Sequence, residues 1–421
     1  MKSYTDRRTF LQTSAAAMST AMLMQGQPLL GAVANRSVAK KRVAGVVTIY
    51  RHNSHSDVII GKILDGWNQD GGPGPNLEMV SLYVDQFPED DMSRNLAEKH
   101  GFRLCKTIQE AIDLGTDEVA VDGVLCIGEH GDYPWNEKEQ HLYPRKRLFK
   151  EITDTFAKRG KVVPIFHDKH PGPQWEDAKW MYDRAKEMNV PWMAGSSLPV
   201  GYRSPDVTLP FGSKVEAAIG IGYSGLDIYG FHTLDFLQSI LERRQGAEQG
   251  VEWVQSLPTS EIGKLIEQGV IRVDLLDAAL KVAGTDRAAL LASPPVADGA
   301  AFLIGYRDGM TVPVLMLQGL AQGICAAVKP VGADLFATRV EERTDPRHPH
   351  FAFLLKGIEK MFHTGVPTYP VERTMLSAGI LDRLLTSRFE NHRKIDTPEL
   401  AIRYRPVDYA YAPHIELSQK F

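Results

Sequence analysis

The chain has 421 residues, 43% of them hydrophobic, 9% aromatic and 24% charged, which is the composition of a folded globular protein with room for two or three domains. A formal net charge of −4, with no basic stripe, argues against a nucleic-acid binder. The three cysteines, Cys105, Cys126 and Cys325, form no C-x-x-C pair, which argues against a disulfide scaffold or a cysteine zinc knuckle.

The first residues read as an address. Arg7-Arg8-Thr9-Phe10-Leu11-Gln12 is followed by a weakly apolar stretch, Thr13 to Met24, and then by Ala32-Val33-Ala34. A charged start, a short apolar core and small residues at −3 and −1 are the parts of a secretory signal, and the twin arginine points to the twin-Arg route. Residues 1–34 are therefore expected to be a twin-Arg signal peptide. The export machinery is an expected partner, and a periplasmic or otherwise exported location is expected. A chance Arg pair in an unstructured terminus is the less favoured reading. The apolar run is too short and too polar to span a bilayer, so stable membrane insertion is not expected.

From Val43 onward, strands and helices alternate. Val43 to Tyr50 is an apolar, β-branched run typical of a buried parallel strand. Ser56 to Trp67 reads as a helix, Leu77 to Val84 as a strand, Asp91 to Lys99 as a helix, Phe102 to Cys105 as a short strand and Ile108 to Leu114 as a helix. Val119 to Ile127, Lys161 to Phe166 and Val190 to Ala194 complete the strands, with helices over Pro144 to Arg159 and Trp175 to Met188 between them. This alternation implies βαβ units and a doubly wound, Rossmann-like parallel sheet over residues 40–200. Beyond Gly201 the pattern changes. Val215 to Gly222, Gln249 to Leu257, Ala300 to Tyr306 and Val312 to Gln318 are strand candidates. Phe231 to Arg244, Leu354 to Phe362 and Arg373 to Ser387 are helices. The expected architecture is α/β, with an α+β domain carrying a mostly antiparallel sheet over residues 201–403 and a C-terminal tail over 404–421.

Ligands of an open parallel sheet bind beyond the carboxyl ends of its strands. The first strand is followed by Arg51-His52-Asn53-Ser54-His55, the second by Asp85, the fourth by Glu129-His130-Gly131-Asp132, and the fifth by His167-Asp168-Lys169-His170. In the strand order 3-2-1-4-5-6, five histidines (His52, His55, His130, His167 and His170) fall on one rim with Glu129 and Asp168. At least three of the residues His52, His55, Glu129, His130, His167 and His170 are expected to converge there. Arg51, His52, Ser54, His55, Asp85, Glu129, His130 and Asp168 are the candidate cofactor-binding residues. The first turn lacks the G-x-G-x-x-G that lets a backbone approach a pyrophosphate, although Asp85 stands where an acidic residue would meet a ribose hydroxyl.

Three motifs carry a family resemblance. Val162-Val-Pro-Ile-Phe-His-Asp-Lys-His-Pro171 resembles a strand ending in Glu-Lys-Pro. Gly230-Phe-His-Thr-Leu-Asp235 resembles a G-x-H-x-x-D helix start. Thr364-Gly-Val-Pro, together with Ser387-Arg-Phe-Glu-Asn-His-Arg-Lys394, resembles a late helix and closing strand. All three are similar to the glucose–fructose oxidoreductase and inositol dehydrogenase family (Gfo/Idh/MocA), and the resemblance spans nearly the whole chain after the signal. It implies a Rossmann domain followed by an antiparallel α/β domain, NAD or NADP as cofactor, Lys169 as the family lysine and His232 as the acid/base histidine. The sequence departs from the family where Glu-Lys-Pro reads Asp168-Lys169-His170. It departs again where Ile228 stands four residues before the histidine, in place of an Asp, with Asp227 one position off.

Three functions follow as expectations. The first is an exported oxidoreductase on a sugar, polyol or glycoside, in which His232 takes the hydroxyl proton, Lys169 polarises the oxygen and Asp235, at i+3, orients the imidazole. The second is a lyase, isomerase or hydrolase that has lost the dinucleotide and uses a divalent metal held by the rim. The third is a non-catalytic carbohydrate-binding protein. Lys169 and His232 are expected to face one cleft between the domains, outside the core. A homo-oligomer is expected.

Overall fold

The structure, a computed structural model, describes residues 39–412 except 297 and 410. The expected signal peptide, 1–34, lies outside the described residues.

The first sheet has six parallel strands in the order β3-β2-β1-β4-β5-β6. They are β1 (Lys41–Val47), β2 (Leu77–Val84), β3 (Arg103–Cys105), β4 (Gly123–Ile127), β5 (Ile165–Asp168) and β6 (Trp192–Gly195). Helices α1 (His55–Asp65), α2 (Ser93–His100), α3 (Ile108–Asp113), α4 (Arg145–Arg159) and α5 (Trp175–Glu187) make the crossovers. Every residue of β4 is buried, as a central parallel strand covered on both faces requires. Helix α4 shows how the sequence builds a layer. Leu148, Phe149, Ile152 and Phe156 recur at helical spacing and are fully buried, and Gly160 ends the helix in the left-handed region. Each such side chain contributes roughly 1.5–3 kcal/mol by leaving water.

The second sheet has eight strands in the order β14-β9-β10-β11-β8-β12-β13-β7. These are β7 (Tyr202–Ser204), β8 (Val215–Gly222), β9 (Val251–Leu257), β10 (Ala300–Tyr306), β11 (Thr311–Met316), β12 (Cys325–Pro330), β13 (Phe336–Glu341) and β14 (Ile395–Asp396). All neighbours pair antiparallel except β11 and β8. Helix α6 (Ile228–Leu241) is buried along almost its whole length beside this sheet. Three short helices, α7 (Ile262–Glu267), α8 (Val273–Val282) and α9 (Arg287–Ala292), pack their Leu and Ile side chains on the sheet's other face. The α/β class and both sheet types are as the sequence predicts.

Helices α10 (His350–Thr364) and α11 (Val371–Phe389) follow the last long strand. Helix α10 returns to the first sheet. Its Phe351, Leu354, Leu355, Ile358 and Phe362 share one core with β1, α1 and β2. The loop that leads into α10 thereby arrives at the amino terminus of α1. The described residues from Lys40 onward form a single unit.

Candidate active site

Period-two alternation on β5 decides which rim residues reach the cleft. Ile165 packs in the core on the α4–α5 side and Phe166 in the core on the α1 side. His167 therefore shares the face of Ile165, and Asp168 that of Phe166. His167 is fully buried beside the Arg145 guanidinium and does not join the rim. His52 is largely exposed, with its ring 3.7 Å from Asp57. These two are corrections to the expected rim.

The remaining four converge. His55 Nδ1 lies 2.6 Å from Asp168 Oδ2, and the His55 and His130 rings meet edge to face at 5.4 Å. The backbone of Lys169 turns through the left-handed region, φ 61°, and its ammonium donates to Glu129 Oε1 at 2.7 Å. Arg145 donates to Glu129 Oε2 at 2.5 Å and to the His170 ring at 2.9 Å. Burial alone would raise the Glu129 pKa, but Lys169 and Arg145 overcome it and hold the carboxyl well below its usual range. His130 is pushed down to about 4, chiefly by burial and then by its His55 neighbour. The imidazole at 130 is thus neutral at ordinary pH.

His232 and Asp235 lie one turn apart on α6, and both are buried. His232 Nδ1 is 2.6 Å from Ser196 Oγ, which also accepts the Leu198 N–H at 3.1 Å. Burial, followed by the charge of Lys169, keeps the His232 pKa well below 6.5. Asp235 does not orient this ring directly, contrary to expectation. Its carboxylate accepts the Ser196 N–H at 3.0 Å and Arg373 Nε at 3.2 Å. It therefore reaches His232 only through Ser196. Lys169 and His232 are also more deeply buried than expected, at 3% and 9% exposure. The reason is the same for both: α6 and the β5–α5 turn pack against one another, and each polar tip has an internal partner.

Three site residues escaped sequence reasoning. Arg145 is the first residue of α4, where the helix dipole favours a carboxylate, so a basic residue there was a readable signal. Ser196 follows β6 and had no motif. Asp227 precedes α6. Its Oδ2 accepts the His141 N–H at 3.0 Å, Oδ1 has no hydrogen-bond partner among the described residues, and burial raises its pKa to about 6.

The remaining candidates serve the protein itself. Ser54 caps α1, accepting the Asp57 N–H at 3.3 Å, and donates to the Arg51 carbonyl at 2.7 Å. Arg51 is exposed and approaches Asp90 at 3.9 Å. Asp85 accepts from Tyr83 and Tyr133, each at 2.7 Å, and from Arg147 at 2.6 Å. Burial works against its ionisation, but those three donors outweigh it and lower its pKa.

These observations test the cofactors. A shallow groove of about 470 Å³ lies beyond β1, β2 and β4, lined by Ile49, Arg51, Gln86, Phe87, Gly131 and Asp132. Its setting suits a nucleotide, but two standard contacts do not fit one. Asp85 already accepts from three of the chain's own donors, and in the turn into α1 the Asn53 N–H faces the Asp57 carboxylate while the Asp57 N–H faces Ser54. A divalent metal fits no better. Among the described residues no group of three His, Cys, Asp or Glu side chains is arranged to hold one. Glu129 and Asp168 are paired with cations and imidazole instead.

A parallel 3-2-1-4-5-6 sheet followed by a large, mostly antiparallel one is the two-lobed dehydrogenase fold. Solved structures share this fold. GenD2 from gentamicin A biosynthesis, solved with NAD, has a TM-score of 0.54 at 12% identity, covering 89% of this chain and 99% of that one. The myo-inositol dehydrogenase of Corynebacterium glutamicum has a TM-score of 0.53 at 12% identity, covering 85% and 98%. The scyllo-inositol dehydrogenase of Lactobacillus casei has a TM-score of 0.52 at 8% identity, covering 85% and 98%. The sequence matches no family profile and no curated protein. The chain thus has the fold of the Gfo/Idh/MocA-type dehydrogenases, at low sequence identity.

Proposed function

We propose that the chain is an enzyme of the oxidoreductase class that acts on a hydroxyl-bearing carbon of a sugar, polyol or glycoside. One observation carries this reading. A neutral histidine, His232, and the Lys169 ammonium lie close enough to interact at the carboxyl ends of β5 and β6, Lys169 pairing with Gly195 and His232 meeting Ser196. In the tautomer whose Nδ1–H donates to Ser196 Oγ, Nε2 of His232 is free to accept the hydroxyl proton. Lys169 stabilises the alkoxide as it forms. The inositol dehydrogenases and the NAD complex among the structural neighbours support the substrate class and a nicotinamide acceptor.

A second reading is proton-transfer chemistry at the same carbon without redox, as in an isomerase or lyase. The engagement of Asp85, and of the Asn53 N–H in the turn before α1, by the chain's own groups favours it. The enzyme is further proposed to act outside the cytoplasm after twin-Arg export, and as a homo-oligomer. To test the first reading, the purified protein is given a panel of polyols and aldoses with NAD or NADP, and absorbance is followed at the nicotinamide band. Turnover lost in His232→Gln supports oxidation. Exchange of substrate C–H or O–H positions with deuterated solvent, with no nicotinamide signal, supports the second reading. Neither activity would refute both.

A further inference from the structure

We propose that Asp57 and Arg347 lock the amino terminus of α1 shut, so that the chain does not hold a dinucleotide pyrophosphate in the seat its fold ordinarily offers. In a Rossmann sheet that seat is the turn after β1, where free amides and the helix dipole meet the phosphates. Here Asn53 takes the left-handed conformation, φ 61°, that a glycine would supply. Its N–H donates to Asp57 Oδ2 at 2.9 Å. An internal carboxylate thus stands where a phosphate oxygen would be.

Arg347 closes the arrangement from a distant part of the chain, the loop between β13 and α10. All three arms of its guanidinium are engaged: Nη2 with Asp57 Oδ2 at 2.6 Å, Nη1 with Asn53 Oδ1 at 2.9 Å, and Nε with Gln69 Oε1 at 3.0 Å. Gln69 Nε2 returns to the Asp57 carbonyl at 2.8 Å. Gly61 makes room for it, since a Cβ there would lie 1.7 Å from Gln69 Nε2. Lys62, fully buried, donates to the Arg347 carbonyl at 2.6 Å and so fixes the loop's backbone. Arg347 and His348 both sit in the left-handed region, at φ 51° and 50°, a strain that persists only where the surroundings over-determine it. A pyrophosphate entering this seat would have to displace Arg347 and then meet the Asp57 charge at close range.

The inference bears against the nicotinamide acceptor of the first reading and is compatible with the second, and its test is one of binding alone. NADH and ADP-ribose are titrated into the purified full chain by calorimetry, with NADH fluorescence as a second readout. The native protein is expected to show no saturable binding tighter than about 1 mM. Asp57→Asn removes the internal anion and frees the guanidinium, so ADP-ribose affinity should rise at least tenfold. Asp57→Asn combined with Arg347→Ala should lose that gain. Asp57→Ser gives the same readout if the Asn variant does not fold. Micromolar binding of either probe to the native chain overturns the lock while strengthening the nicotinamide reading. No gain in a folded Asp57 variant also overturns it. Absent nucleotide binding with retained sugar turnover leaves the lock standing, removes the nicotinamide acceptor and the oxidation that needs it, and leaves proton transfer without redox as the chemistry of His232.

Discussion

Ser196 Oγ lies 2.6 Å from His232 Nδ1, while the Ser196 N–H is held at 3.0 Å by Asp235. One serine thus carries the influence of a buried carboxylate to the imidazole. Asp235 is itself held by Arg373, and both are fully buried. Ser196 is therefore a positioning residue, and Ser196→Ala should release the ring. Turnover should fall by roughly 100-fold, the lower end of what a positioned acid–base group contributes. KM should change little, and the limb of the pH–rate profile that reports His232 should move. A loss of stability with an unmoved pH profile would show that the serine is only structural.

The ammonium of Lys169 and the guanidinium of Arg145 share one carboxylate, Glu129, and all three are buried. Removing the shared partner leaves two cations unpaired, whereas removing Lys169 leaves Glu129 still paired with Arg145. Breaking a buried ion pair from one side costs about 3–5 kcal/mol. Glu129→Ala should therefore lose about that much in urea unfolding. Lys169→Met should lose clearly less, yet abolish turnover. Equal destabilisation by the two changes would mean that Arg145 does not compensate.

Local pattern carried most of the first sheet. Period-two and β-branched runs located all six strands, and helical spacing located α1, α4 and α5. It carried less of the second lobe. Strand β12, Cys-Ala-Ala-Val-Lys-Pro, has small side chains that give no strand pattern, and it forms because β8 and β13 pair with it on either side. Helix α8 went unread in the sequence although Leu275, Leu276, Ala279 and Leu280 recur on one face. In the site, strand ends singled out His55, Glu129, His130 and His170, which the structure brings together around Arg145, Asp168 and Lys169, the last singled out by the family resemblance. What sequence could not supply was pairing. Asp235 lies at the right spacing for His232 but turns to Arg373, and Asp57 meets a residue 290 positions away. Such partners are brought together only by tertiary packing.

Export is tested on the precursor. Arg7→Lys together with Arg8→Lys keeps the charge but removes the twin arginine, so full-length precursor should accumulate in the cytoplasm. The native protein should be found outside the cytoplasm, shortened by residues 1–34. Unchanged export of the double variant would rule out the twin-Arg route.

His167 predicts a specific acid sensitivity. Its ring is fully buried, and burial together with Arg145 lowers its pKa to about 3. In the unfolded chain the ring titrates near 6.5. As pH falls below about 6.5 the unfolded state gains a proton that the native state refuses, so stability is lost, and the loss continues down to the native value. Between pH 6.5 and pH 5 this one group costs about 2 kcal/mol. Two buried acids work in the opposite direction: Asp227 is raised to about 6 and Glu242 to about 7, both mainly by burial, so each favours the native state as pH falls. The pH curve of the native protein therefore mixes both signs, and the informative quantity is a difference. His167→Leu removes the titrating ring and leaves both acids in place. Urea unfolding of the two proteins at pH 7 and pH 5 should show the variant losing about 2 kcal/mol less than the native chain over that interval. Parallel curves would mean that the native state admits a proton at His167, and that the ring is less sealed than its burial implies.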